Sequence, residues 1–175
     1  MKTPAIIGID NGLTGGIVAL CPESGALIDK TARPVVEYLG KKEADVGEVL
    51  RWISYFDCCG VGIEEPPHHA PSSAAMRSLS LSFGLITGAL KQAGFNPCRI
   101  TVNEWQKSIL GKIPAGQTKP AALAKAQELW PDTDWRKSPR NKIPHDGMID
   151  AALIARYLAG WRVGPGAGSG MFENN

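Results

Sequence analysis

Ile6-Ile7-Gly8-Ile9-Asp10-Asn11-Gly12-Leu13-Thr14-Gly15-Gly16 is the stretch on which the reading of this chain turns. Branched apolar residues run straight into an aspartate, and the glycines then allow a tight reversal into a second apolar run, Ile17 to Cys21. A strand built in this way carries a carboxylate to its own end. A charge that follows buried isoleucines is costly unless it is paired, hydrogen-bonded or bound to a cation. The bland alternative is an Asp-Asn-Gly turn that merely closes a hairpin. The choice depends on whether other acids are aimed at the same point.

Outward from that turn, the pattern predicts strands over Ala5 to Asp10 and Gly16 to Cys21, a turn at Pro22-Glu23-Ser24-Gly25, and a returning strand over Ala26 to Thr31. These three make an antiparallel meander. Val46, Val49, Leu50 and Ile53 keep helical spacing within a helix expected over Glu43 to Phe56. Gly60-Val61-Gly62-Ile63 reads as a buried central strand that ends in Glu64-Glu65-Pro66-Pro67, where the prolines stop further pairing. A helix over Ser73 to Gly94 follows, with Gly94 as its stop; its Gly84 and Gly88 share one face, suited either to packing on its own sheet or to a subunit contact. Asn96 to Val102 is the fifth strand, followed by a short helix over Asn103 to Leu110 and an Ala-rich helix over Thr118 to Leu129 that Pro131 ends. Asp132 to Lys142 is a polar loop, and the last helix runs from His145 to Trp161. One domain over residues 1–162 and a flexible Gly-rich tail over 163–175 are expected.

The 175 residues, 43% hydrophobic, suffice for one domain with a real core. A net charge of +2 says little, but its distribution is uneven: Lys41 to Glu65 holds three basic and six acidic residues, hence −3, and Arg99 to Lys142 holds nine basic and four acidic, hence +5. Such segregation suits an acidic centre beside a cationic surface. Cys21, Cys58, Cys59 and Cys98 have neither zinc-type spacing nor the density of a disulfide scaffold. With no signal-type N-terminus and no bilayer-length apolar run, the expected compartment is the cytoplasm and no membrane partner is expected.

Side-chain alternation puts Gly8 with Asp10 on one face of the first strand and Gly62 with Glu64 on one face of the central strand, so that each acid has a glycine beside it and room for a ligand. This favours Glu64 over Glu65 as the partner of Asp10; a bend at the prolines would reverse the choice. In the last helix Asp146, Asp150, Leu153 and Tyr157 share a stripe, with Ile149, Ala152 and Ile154 flanking Asp150. Asp146 also lies in the first helical turn, where the helix dipole alone favours an acid. Hard oxygen donors of this kind suit Mg²⁺ or Mn²⁺, and two such ions activate water and stabilise a leaving oxygen in phosphodiester hydrolysis. His145, next to the cluster, is a candidate to orient water, protonate a leaving group or bind metal, or is simply a helix-start residue.

Gly-Ile-Asp-x-Gly at residues 8–12, Ile-Glu at Ile63-Glu64 and Asp-Ala-Ala-Leu-Ile-Ala from Asp150, in this order and with these elements between, resemble the RuvC-type Holliday junction resolvases of the ribonuclease H-like superfamily. The resemblance runs from Ile6 to about Tyr157. It implies an α/β domain with a five-stranded mixed sheet, strands one to three antiparallel and four and five parallel, and helices on both faces. It carries Asp10, Glu64 and Asp150 over as catalytic metal-binding acids, with a Mg²⁺- or Mn²⁺-dependent homodimer that nicks two strands of a four-way DNA junction and leaves 5′-phosphates. Lys107 and Lys119 stand where the family keeps basic residues near the DNA backbone. In cellular members an acid commonly lies three residues before the last aspartate; here that place is Gly147, and Asp146 or His145 is expected to substitute, a form closer to phage-borne members. Where the family often presents a stacking aromatic, this chain has Pro66-Pro67-His68-His69, so His68 and His69 become the candidate DNA contacts and broader branched or flapped DNA is the alternative substrate.

Two other classes compete. The Gly-rich turn also suits the phosphate-gripping hairpin of an ATP-dependent sugar kinase or actin-like protein, but those need two such domains around the nucleotide. A non-catalytic DNA-binding relative would have no use for acids at buried strand ends, which are destabilising when idle.

Overall fold

The computed structural model describes residues 1–68 and 72–163, with side chains to Gly160. His69 and the expected tail beyond Val163 lie outside the described residues. Strands β1 (Thr3–Ile9), β2 (Gly16–Leu20) and β3 (Leu27–Ala32) form the expected antiparallel meander. After it comes a hairpin that the apolar spacing does not announce, β4 (Val35–Tyr38) against β5 (Lys41–Ala44), a two-stranded sheet of its own. Its two-residue turn is Leu39-Gly40, with φ of 49° and 72°, so both residues are left-handed as this turn class requires. A leucine there is an unusual choice, and the strands are rich in Lys and Glu, so neither the turn nor the strands carried the usual signal.

The hairpin takes Glu43 into β5 and delays the first helix. Asp45 caps α1 (Val46–Ile53), its carboxylate accepting from the Glu48 backbone N–H at 3.0 Å. Strand β6 (Phe56–Glu64) is longer than its apolar run, because its first residues alternate at an open edge and only Val61 to Ile63 are fully buried. Helix α2 (Ser73–Gln92) ends at Gly94, left-handed at φ 86°. Strand β7 (Cys98–Ile100) then precedes α3 (Val102–Ile109), α4 (Thr118–Leu129) and α5 (Asp146–Val163).

The main sheet has the order β3-β2-β1-β6-β7, with β6 and β7 parallel to β1. Side-chain alternation sorts its residues into two cores. Ile6, Val18, Leu20 and Ile100 face α3, α4 and α5, while Ile7, Ile9, Ile17, Val61 and Ile63 pack with α1 and α2. This is the expected α/β arrangement, a mixed five-stranded sheet with helices on both faces. Among the described residues no helix is long and apolar enough to cross a membrane.

Helix α5 lies directly on the sheet. A Cβ built on Gly8 would come 2.1 Å from the Ala151 carbonyl oxygen, and one on Gly62 would meet Ile100, Leu158 and Ile154. The two glycines are register partners. They do not leave room for a ligand beside the acids, as their sequence positions suggested; they let the helix backbone reach the sheet. Gly84 and Gly88 differ, with open space where a Cβ would be, so this face of α2 does not pack on its own sheet.

Candidate active site

Asp10 follows the last residue of β1, and its Oδ1 accepts from the Gly12 N–H at 2.9 Å, so the glycine turn holds the carboxylate from behind. Asn11 is buried and joins the strand ends: its Nδ2 donates to the Glu64 carbonyl at 2.7 Å, and its own carbonyl accepts from Ser82 Oγ at 2.9 Å. Glu64 closes β6 on the α5 side, and its Oε2 accepts from Trp105 Nε1 at 2.8 Å. Glu65 turns the other way and pairs with Arg99 at 3.3 Å. Alternation along the strand thus turns Glu64, and not Glu65, toward the other acids.

Asp146 and Asp150 come from the first turns of α5. That helix start is clamped on the Gly-rich turn, with Gly15 and Gly147 in a parallel bridge. A Cβ on Gly147 would lie 2.2 Å from the Thr14 carbonyl oxygen, which explains why no acid can occupy this position here. Asp146, one residue earlier, is half-exposed and pairs with Lys119 at 2.5 Å. His145 is tied into the helix start, its Nδ1 accepting from the Met148 N–H at 3.2 Å. This bond needs an unprotonated Nδ1, and partial burial together with Lys137 also favours the neutral ring.

The four acids feel one another. Burial first, then the charges of Asp10, Glu64 and Asp146, pushes Asp150 up to about 8, although Lys119 opposes the shift. Burial and Asp10 push Glu64 up to about 7 against the Trp105 hydrogen bond. Asp10 is raised by burial and by Asp146, opposed by its Gly12 hydrogen bond and by Arg33. Arg33 was invisible in the sequence. It is 3% exposed, donates from Nε to the Gly12 carbonyl at 2.7 Å, and among the described residues its two terminal nitrogens have no hydrogen-bond partner.

Three of the acids thus resist ionisation, first because they are buried and then because they repel one another, and a bound cation would oppose both effects. The donors are all hard oxygens and fit Mg²⁺ or Mn²⁺. Among the described residues no three acid, His or Cys side chains form a ready-made cage, so a cation would have to draw the carboxylates together. Lys107 is exposed on α3 and Lys119 at the start of α4, while His68 is exposed after Pro67. The loop 131–144 is better anchored than its polar composition suggested. Trp135 is buried edge-on against Trp130, and its carbonyl accepts from the His145 N–H at 2.8 Å, which holds Lys137, Arg140 and Lys142 on a fixed support.

A RuvC of Thermus thermophilus in complex with a Holliday junction substrate superposes with a TM-score of 0.65 at 16% identity, over 91% of this chain and 96% of that one. The chain has a RuvC-type fold. A further T. thermophilus RuvC structure gives a TM-score of 0.58 at 20% identity, over 90% and 94% of the two chains. No protein-family model and no curated protein sequence matches the chain. At such identities the likeness establishes the ribonuclease H-like architecture.

Proposed function

We propose that this RuvC-type chain is a metal-dependent, structure-selective endodeoxyribonuclease that resolves four-way DNA junctions as a homodimer, by paired nicks that leave 5′-phosphates. The observation that carries the reading is the convergence of Asp10, Glu64, Asp146 and Asp150, from two strand ends and one helix, into a single electrostatically coupled group. Asp10, Glu64 and Asp150, with Asp146 beside them, would hold one or two Mg²⁺ or Mn²⁺ ions. When bound, these would lower the pKa of the attacking water and neutralise charge on the leaving oxygen.

The chain's own residues supply the rest. The Gly12 N–H and the Asn11 bridge fix Asp10 and the Glu64 backbone relative to each other before substrate arrives. Lys119, paired with the half-exposed Asp146, is the candidate cation for a DNA phosphate near the acids, and the exposed Lys107, Lys137, Arg140 and Lys142 are further candidates for phosphate contacts. His145 has its Nδ1 engaged, so only Nε2–H is free to orient water or protonate the leaving oxygen.

The T. thermophilus RuvC of the first comparison is bound to a Holliday junction substrate, which supports the same substrate class for this chain. Broader branched-DNA cleavage is the second reading, favoured by Pro66-Pro67-His68 in the loop after Glu64, where the family resemblance implies a stacking aromatic. The test is to incubate the protein with labelled four-way junction, flap and linear duplex in Mg²⁺, Mn²⁺ or chelator and to map the nicks. Symmetric nicks on the junction alone, lost in chelator, are expected. Cuts across flaps and forks would select the second reading, and binding without metal-dependent cutting would leave a non-catalytic DNA-binding protein.

A further inference from the structure

Glu64 sits where the chain gives a side chain little natural support, at a strand end with Pro66 and Pro67 just beyond. Its backbone is held by Asn11, but its carboxylate is held by Trp105, from an element more than forty positions away in sequence. Trp105 is 1% exposed and packed among the residues that α5 covers. Helix α3 that bears it is short, so its start is secured by a reciprocal cap: Thr101 Oγ1 accepts from the Glu104 N–H at 3.3 Å and Glu104 Oε2 accepts from the Thr101 N–H at 2.7 Å. The indole N–H is therefore a fixed donor aimed at one oxygen of one carboxylate.

The chemistry of that donor matters. An indole donates and cannot accept, carries no charge and does not titrate, so it neither repels a cation as Lys or Arg would nor competes for it as an acid would. It engages one lone pair of Oε2, and among the described residues no hydrogen bond reaches Oε1. We propose that Trp105 is the positioning residue of the acid cluster, holding Oε2 of Glu64 so that this carboxylate offers Oε1 to a divalent cation in one fixed orientation. The inference rests on the nuclease reading above and adds to it which oxygen is offered and what fixes it. Groups that orient a ligating carboxylate in this way typically contribute 10- to 100-fold to metal affinity.

Trp105→Phe keeps the ring and removes the N–H. We expect Mn²⁺ binding by the DNA-free protein, read from the free-ion electron paramagnetic resonance signal, to weaken by about tenfold, and the Mn²⁺ concentration for half-maximal cleavage to rise in parallel. Junction binding in chelator should be unchanged. A purely structural tryptophan predicts a lower Tm in chelator with Mn²⁺ affinity unaltered, and that result overturns the proposal. If the variant does not fold, the wild-type protein with ¹⁵N-labelled indoles carries the test: on Mg²⁺ titration the Trp105 N–H resonance should move with saturation while that of Trp52 stays, and a Trp105 resonance that stays still overturns it. Wild-type protein that binds no Mn²⁺ and cuts nothing would overturn both readings; wild-type binding matched by the variant would remove only this one.

Discussion

Asp10 is the residue whose loss should be cleanest. Asp10→Asn keeps the shape and the acceptor for Gly12 but removes the charge that raises both Glu64 and Asp150. Cleavage should fall by about a hundredfold or more, since several kcal/mol of charge stabilisation are at stake and each 1.4 kcal/mol is tenfold, while junction binding measured in chelator persists. Retained cleavage would remove the acid-cluster mechanism. Asp10, Glu64 and Asp150 were legible because strand alternation and helical spacing are rules about direction, and direction is what brings acids together. Arg33 and Trp105 were not, because a buried arginine and an indole donor declare themselves only when their neighbours are known. Gly147 was legible as a missing acid but not as a necessary glycine; the reason is the Thr14 carbonyl, supplied by a turn more than 130 positions earlier.

Among the elements, the docking of α5 decides the geometry, and two glycine substitutions should act in opposite directions. Gly8→Ala drives a Cβ into the Ala151 carbonyl and should cost about 1–3 kcal/mol of stability, as overpacking does. Gly84→Ala meets open space within α2 and should stabilise by about 0.5–1 kcal/mol through lost unfolded-state freedom. Urea unfolding of both variants checks the signs, and equal effects would mean that the contact between α5 and β1 is softer than the geometry implies. The strands of the meander and most of the helices were readable from apolar spacing, and the mixed sheet with helices on both faces followed from the family resemblance. The β4–β5 hairpin was not readable, because most of its residues are exposed, half of its strand residues are charged and Leu39 stands in its turn, so no regular burial pattern marks it.

At the scale of the whole molecule, charge governs both stability and binding. Carboxyls held above their ordinary range in the folded chain keep protons that the unfolded chain has already released. Stability without divalent metal should therefore decline as pH rises from about 4, where unfolded carboxylates ionise, through about 7 for Glu64 and about 8 for Asp150. Saturating Mg²⁺ favours the ionised forms and should flatten the decline; Tm against pH with Mg²⁺ and with chelator tests both statements. For binding, Lys107→Ala should reduce the slope of log affinity against log salt by about 0.9, the share of one phosphate contact, with no change in which junction strands are cut. A slope unaffected by this change would take Lys107 off the DNA surface.

Because β1 leads into the first acid and α5 holds the last, with most of the described chain between them, the four acids are all present only once residue 150 has been made. A ribosome carrying the strands and the first four helices displays a sheet with one face uncovered and two of the four acids still unmade. On the nuclease reading such a chain has only half of its acid cluster, and a product stopped short of residue 146 lacks the helix on which its sheet depends.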